Sequence, residues 1–260
     1  HGKSLPRFER TLLSRLGFLK GIAMALALFS ATSAAEGQVG KIERLVTPAG
    51  IELWFVRDDT LPILSFNFAF DGGASQDPAD RAGLAYMTAA MLDEGAGELD
   101  AKAYQERLER NAISLSFSAD RDAFRGSVRV LSEHREEAFE LLRLALNAPR
   151  FDQEAIDRIR ASILAANKRS LTNPDEVGSL RWFASAFPNH PYGRPVKGDE
   201  SSIGGIDRTM LFAFAKKNLA RSNLKIAVVG SIESSDLIRL VDQAFAKLPA
   251  KAELTSVPEM

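Results

Sequence analysis

Residues 62–73 read PILSFNFAFDGG, and within them Leu64, Phe66 and Phe68 alternate with Ile63, Ser65 and Asn67 before Gly72-Gly73 closes the run. Successive side chains of a strand point to opposite faces, whereas a helix would scatter these aromatics around its axis. The stretch therefore has to be a strand with one aromatic face. Such a face is stable only when another layer covers it, so the remaining chain must supply pairing strands and covering helices.

Both are legible. IELWFVRDD, just before, has strand character and ends in a charged turn. NAISLSFSAD and AFRGSVRVL alternate with period two and predict a hairpin around Ala119-Asp120-Arg121-Asp122. LKIAVVGSI reads as a buried strand. Between them lie helical segments. Asp77-Pro78-Ala79-Asp80 supplies a helix start with Asp80 as N-cap, Leu84, Met87 and Met91 make one stripe, and Gly95 is the stop. LDAKAYQERLERNA follows with Asp100 near its start, then SEHREEAFELLRLALN up to Pro149, DQEAIDRIRASILAANKRSL, DEVGSLRWFASAF, DRTMLFAFAKKNL and SSDLIRLVDQAFAKL. NHPYGRPVKGDESSIGGI reads as a Gly/Pro-rich loop. Strands that pair in hairpins and helices in runs predict an α+β fold, a largely antiparallel β-sheet covered by helices.

The first residues behave differently. Lys3, Arg7, Arg10, Arg15 and Lys20 precede the apolar run GIAMALALFSA, and small residues to Ala35 follow. This is the pattern of a secretory signal over residues 1–35. The run is shorter than the roughly 20 apolar residues of a comfortable membrane span. Residues 36–250 then form one domain with no internal boundary or repeat, and 251–260 read as a linker. Removing the leader takes away five positive charges and one negative, moving the net charge from −1 to −5. An acidic remainder argues against a nucleic-acid partner. Export without any cysteine suits a bacterial periplasm or secretion.

The chemistry that remains open is narrow. With no cysteine there is no thiol nucleophile, disulfide or Cys-held metal. VVGSIESSDLIRL lacks the glycine spacing of a dinucleotide loop and a Walker lysine, and reads as a strand-to-helix turn capped by Ser234 or Ser235. No G-x-S-x-G elbow supports a hydrolase serine. His134 sits among charges in a first helical turn and reads as solvated; His190, before a proline, reads as a packing or hydrogen-bonding residue. The adjacent acids Asp93/Glu94 and Asp199/Glu200 read as solvated charge.

The order of these features resembles the N-terminal domain of the M16 metallopeptidases, the insulinase and pitrilysin family that includes the mitochondrial processing peptidases. The likeness runs from about Ile42 to Leu248 and is carried by FAFDGGASQDPADRAGLAYMTAAMLDEGAGELDAKAYQERLERNAISLSFSADRD and FASAFPNHPYGRPVKGDESSI. Each piece alone is weak; their order and spacing are specific. The resemblance implies a zinc motif H-x-x-E-H on the helix after Gly83-Leu84-Ala85, with a further Glu downstream. Those three positions are Tyr86, Ala89 and Ala90 here, and residues 160–170 hold no acid. The resemblance therefore implies a chain without catalytic or metal residues of its own and without a cofactor, zinc being expected in a partner. It further implies pairing with a zinc-bearing M16 subunit and help in enclosing peptide substrates, held extended along a sheet edge near Asn111, Ala112, Ile113, Ser114, Leu115 and Ser116. A second domain of similar fold would follow the linker. A peptide-binding scaffold without a peptidase partner, or a zinc endopeptidase with unorthodox ligands, are the alternatives.

Overall fold

A computed structural model describes residues 40–259. The leader reading falls on residues outside the described ones. The strands are β1 (Ile42–Val46), β2 (Glu52–Arg57), β3 (Ile63–Asp71), β4 (Ser114–Ala119), β5 (Ala123–Leu131) and β6 (Leu224–Gly230). They form one sheet in the order β1-β2-β6-β3-β5-β4. All pairs are antiparallel except β2 with β6. The helices are α1 (Leu84–Met91), α2 (Ala101–Arg110), α3 (Arg135–Asn147), α4 (Gln153–Ser170), α5 (Pro174–Ala186), α6 (Glu200–Gly204), α7 (Arg208–Asn218) and α8 (Ser234–Phe245). Among the described residues no helix is long and apolar enough to cross a membrane.

The aromatic alternation of β3 does what its period requires. Leu64, Phe66, Phe68 and Phe70 are buried and face α3 and α8. Phe66 meets Phe139 edge-on at 4.9 Å between ring centres, and Phe68 meets Phe245 at 5.2 Å. Each such pair adds roughly 0.5–1.5 kcal/mol beyond its buried area. Opposite Phe68 in the ladder stands Gly126, where a Cβ would lie 2.0 Å from the Phe68 ring. The glycine is there to admit the ring.

Among the described residues only this face of the sheet is covered. The register places Trp54, Ala227, Asn67, Ser127 and Ser116 in one row across the other, outer face. This corrects the expectation for LKIAVVGSI. β6 is central in the order, yet its residues alternate between buried and exposed, because one side of the sheet lies open. The expected loop at 189–206 is also more ordered than composition suggested. It contains a 3₁₀ turn at Pro191–Gly193 and α6, whose start is closed by a reciprocal capping box between Asp199 and Ser202. α8 begins after Glu233 with no side-chain cap, so neither Ser234 nor Ser235 plays that part. The tail beyond Lys251 has no regular structure but lies against the domain. Thr255 donates its N–H to Gln76 Oε1 at 2.7 Å, and Gln76 Nε2 donates to the Thr255 carbonyl at 3.1 Å.

Candidate functional site

α1 is held at its head by a side chain that sequence reasoning placed differently. Gly83 precedes the helix at φ 93°, and Asp80 makes no cap there. Asp77 does this work from six residues upstream. Its carboxylate accepts from the N–H groups of Gly83 and Ala85, both at 2.8 Å, and is buried. Asp80 instead pairs with Arg81 at the surface. The helix cannot start at Asp80 because the chain must first turn through Gly83, a left-handed position where a side chain is strained. A Cβ there would also stand 2.9 Å from the Gly198 nitrogen. Burial pushes the Asp77 carboxyl up to about 7, against the pull of the Ala85 and Gly83 N–H groups and the Arg194 charge.

The loop after the 3₁₀ turn locks this corner. Arg194 Nη1 donates to the Asp77 carbonyl at 2.8 Å. Asn167 of α4 donates from Nδ2 to the carbonyls of Lys197, at 3.4 Å, and Gly198, at 3.1 Å. The head of α1, the C-terminal half of α4 and the loop at 194–198 thus form one packed unit.

The three positions of the expected metal motif lie on α1. Tyr86 is half-buried and packs against the core, Ala89 is 2% exposed, and Ala90 is half-buried. α1 is apolar nearly all round, with Leu84, Ala85, Met87, Thr88, Ala89 and Met91 all buried, so the stripe read from sequence understates its burial. Zinc takes imidazole, thiolate or carboxylate donors. A phenol and two methyl groups, facing an α4 segment without an acid, do not fit it. α1 also ends at Met91, short of Gly95, and Gly95 turns the chain at φ 108°.

The acids just beyond α1 are not solvated as expected. Glu94 pairs with Arg158 of α4, its side chain 15% exposed. Asp93 is half-buried, and burial raises its carboxyl to about 6. Asp199 caps α6 rather than facing water alone. Their adjacency in sequence hid which neighbours each would meet. His190 does pack and hydrogen-bond: its Nδ1 accepts from the Tyr192 N–H at 3.1 Å, and its ring meets Tyr192 edge-on. His134 is partly exposed beside Glu133.

The other expected residues, 111–116, divide into a turn and a strand. Asn111 caps the end of α2 and donates from Nδ2 to the Arg107 carbonyl at 3.0 Å. Ala112 turns the chain at φ 48°. Ile113 is buried and its N–H returns to the Leu108 carbonyl. Only from Ser114 does the chain enter β4, which is one of the two edges of the sheet and lies beside α1. The Asp120 N–H donates to the Ala123 carbonyl of the neighbouring strand. Backbone groups alternate sides along a strand. Ser114, Ser116 and Ser118 therefore turn their N–H and C=O groups to β5, and Leu115 and Phe117 turn theirs to the free edge. Among the described residues no hydrogen bond from another segment reaches them. The side chains of Ser114 and Ser116 stand on the open face, where Ser116 Oγ bonds Ser127 Oγ at 2.9 Å.

Next to this corner is a groove of about 1070 Å³ between α4, α5 and the loop at 193–200. It was not anticipated from sequence. α5 has no buried residue, and it meets the body through Phe183, over which Arg121 sits at 3.4 Å.

The profile of the family described as Insulinase (Peptidase family M16) matches residues 57–200, more than half of the 260-residue chain. The chain belongs to the M16 peptidase family. The crystal structure of a peptidase M16 inactive domain from Pseudomonas fluorescens superposes with a TM-score of 0.79 at 30% identity, over 84% of this chain and 53% of that one. The non-peptidase homolog YmxG of Helicobacter pylori is 26% identical over 204 residues, 78% of this chain and 47% of its own length. The mitochondrial-processing peptidase subunit beta of Neurospora crassa is 23% identical over 186 residues, 72% of this chain and 39% of its own length. The chain spans about half the length of these M16 relatives, or less. The M16 fold expected from the resemblance is the fold observed. A non-peptidase homolog and an inactive domain among the relatives agree with an inactive M16-like member.

Proposed function

We propose that this chain is a non-catalytic M16 subunit that binds extended peptides along the free edge of β4 and pairs with a zinc-bearing M16 partner, which performs the cleavage. The observation that carries this reading is the contrast at α1. The three positions of the zinc motif hold Tyr86 and Ala89, packed against and into the core, and the half-buried Ala90, while among the described residues the backbone of Leu115 and Phe117 beside them remains free. Losing the metal ligands removes hydrolysis. It leaves untouched a strand edge that takes a peptide by main-chain hydrogen bonds. The relative named as a processing-peptidase subunit supports pairing, and the basic and apolar leader before Ala35 supports export to the periplasm.

The test is co-purification with an M16 protein of the same organism that carries H-x-x-E-H. Zinc content and peptide cleavage are measured for each chain and for the pair. The expected result is zinc in the partner alone and cleavage that rises strongly only in the pair. Stoichiometric zinc with cleavage by this chain alone overturns the reading, and failure of the chains to associate overturns the pairing.

A further inference from the structure

The groove between α4 and α5 begins where the edge strand ends. Arg121, two residues past Ala119, lines it. Arg121 is fixed in place, donating from Nε to the Tyr192 carbonyl at 3.1 Å as well as covering Phe183. The groove has an apolar part formed by Leu164, Leu171, Leu180 and Val196, with polar and charged residues around it. Leu171 is 66% exposed and Leu180 38%, so the described residues leave this surface uncovered.

Its charges are unevenly used. Lys168, Arg181 and Lys197 line the groove, and none forms an ion pair among the described residues. Arg181 stands apart from most other arginines among the described residues, which are paired, as Arg107 with Glu137 and Arg158 with Glu94; among the lysines only Lys102 and Lys225 are paired. The acids that also line the groove form no ion pair either, but each sits at a helix start. Asp199 is occupied as the cap of α6, and Glu176 and Glu200 sit in the first turns of α5 and α6, where the helix N-terminus favours them. Four cations, Arg121, Lys168, Arg181 and Lys197, line the groove against three acids, one of them engaged as a cap, so the rim of the apolar trough is net positive and matches a ligand that is apolar and negatively charged.

We infer that this groove receives the part of a bound peptide that runs past the Ala119 end of β4, and that it selects segments combining an apolar side chain with a carboxylate, from Glu, Asp or the chain terminus. This deepens the peptide-binding reading and rests on it. The edge strand supplies sequence-independent main-chain bonds, and the groove supplies the preference. The rim cations add attraction that salt weakens.

The experiment uses the full chain and fluorescein-labelled Leu-containing peptides identical except for one position, Glu, Gln or Lys, followed by fluorescence anisotropy. Hydrogen exchange at the Leu115 and Phe117 amides is measured alongside. The expected result is binding of the Glu peptide about tenfold tighter than the Lys peptide, narrowing with added salt. The Lys168→Glu/Lys197→Glu double variant should reverse that order, and Arg181→Glu should weaken it. These side chains are solvent-facing, so the variants should fold. Equal affinity for all three peptides, with Leu115 and Phe117 protected, overturns the groove while leaving the edge reading intact. No binding and no protection with any peptide overturns both. Self-association of the chain that is abolished by Leu171→Glu, with peptides having no effect, assigns the groove to a second copy and overturns the inference.

Discussion

α1 and α5 are neighbours of the same corner and have opposite fates. α1 buries six of its eight residues, and none of the thirteen residues of α5 is buried. α1 carries the positions that would hold metal in a catalytic relative, and here Ala89 is part of the interior while Tyr86 and Ala90 are half-buried. α5 carries Leu180 and Trp182 and leaves both to solvent beside the groove, Trp182 at 60% exposure. A helix released from metal binding is free to be optimised for packing, since it no longer needs polar atoms in a partly buried place. Among the described residues α5 is held mainly through Phe183, and its exposed apolar residues make sense against something that binds there.

The largest break of this comparison is at Ala89. Ala89→Glu restores the family's acid type at a position 2% exposed. The lost stability should be roughly 2–7 kcal/mol, the cost of an unpaired polar group in the interior. Urea unfolding measures it. A loss under about 1 kcal/mol would show that α1 still opens to water, as an ordinary surface site does.

Asp77 sharpens the comparison through pH. Burial pushes its carboxyl up to about 7 in the folded chain, from an ordinary value of 3.8. The folded state therefore binds the proton more tightly, and this contribution is full below about 4 and is lost as pH rises through 7. Its upper size is about 4 kcal/mol. Asp77→Asn removes the titration, so the stability of the wild type relative to the variant should fall between pH 5 and pH 8. A rise instead would mean that the hydrogen bonds from Gly83 and Ala85 outweigh burial at the head of α1.

The smallest effect is expected on α5. Trp182→Ala should cost less than about 1 kcal/mol, because the ring is mostly exposed and only its edge contacts with Phe183 and Phe187 are lost. Thermal unfolding checks this. A loss comparable to that at Ala89 would erase the distinction between the two helices.

Much of this fold can be read along the chain. The β3 alternation, the β4–β5 hairpin and the Asp100 cap of α2 depend on neighbours a few residues apart, and each is found where its residues predict it. Two of the misread features share a cause: Glu94 meets Arg158 across 64 residues, and β6 is only half covered, so the deciding partner is distant in sequence. Asp77 rather than Asp80 holds α1 because the left-handed turn at Gly83 delays the helix start, and the carboxylate that reaches its N–H groups then lies farther upstream. The groove left no local trace, because its wall is α5, whose pattern reads as an ordinary helix and whose exposure follows from what fails to pack on it.

The residues alone determined that this chain pairs strands around an aromatic face, and that α1 carries no zinc-ligating side chain at Tyr86, Ala89 and Ala90. Side-chain chemistry and short-range periodicity are properties of the covalent chain. Tertiary structure decided that β4 is an edge, that Leu115 and Phe117 present free backbone beside α1, and that unpaired cations gather around an apolar groove. Strand order and ion pairing are set by contacts between distant segments, and a sequence pattern specifies which faces must be covered without naming the segment that covers them.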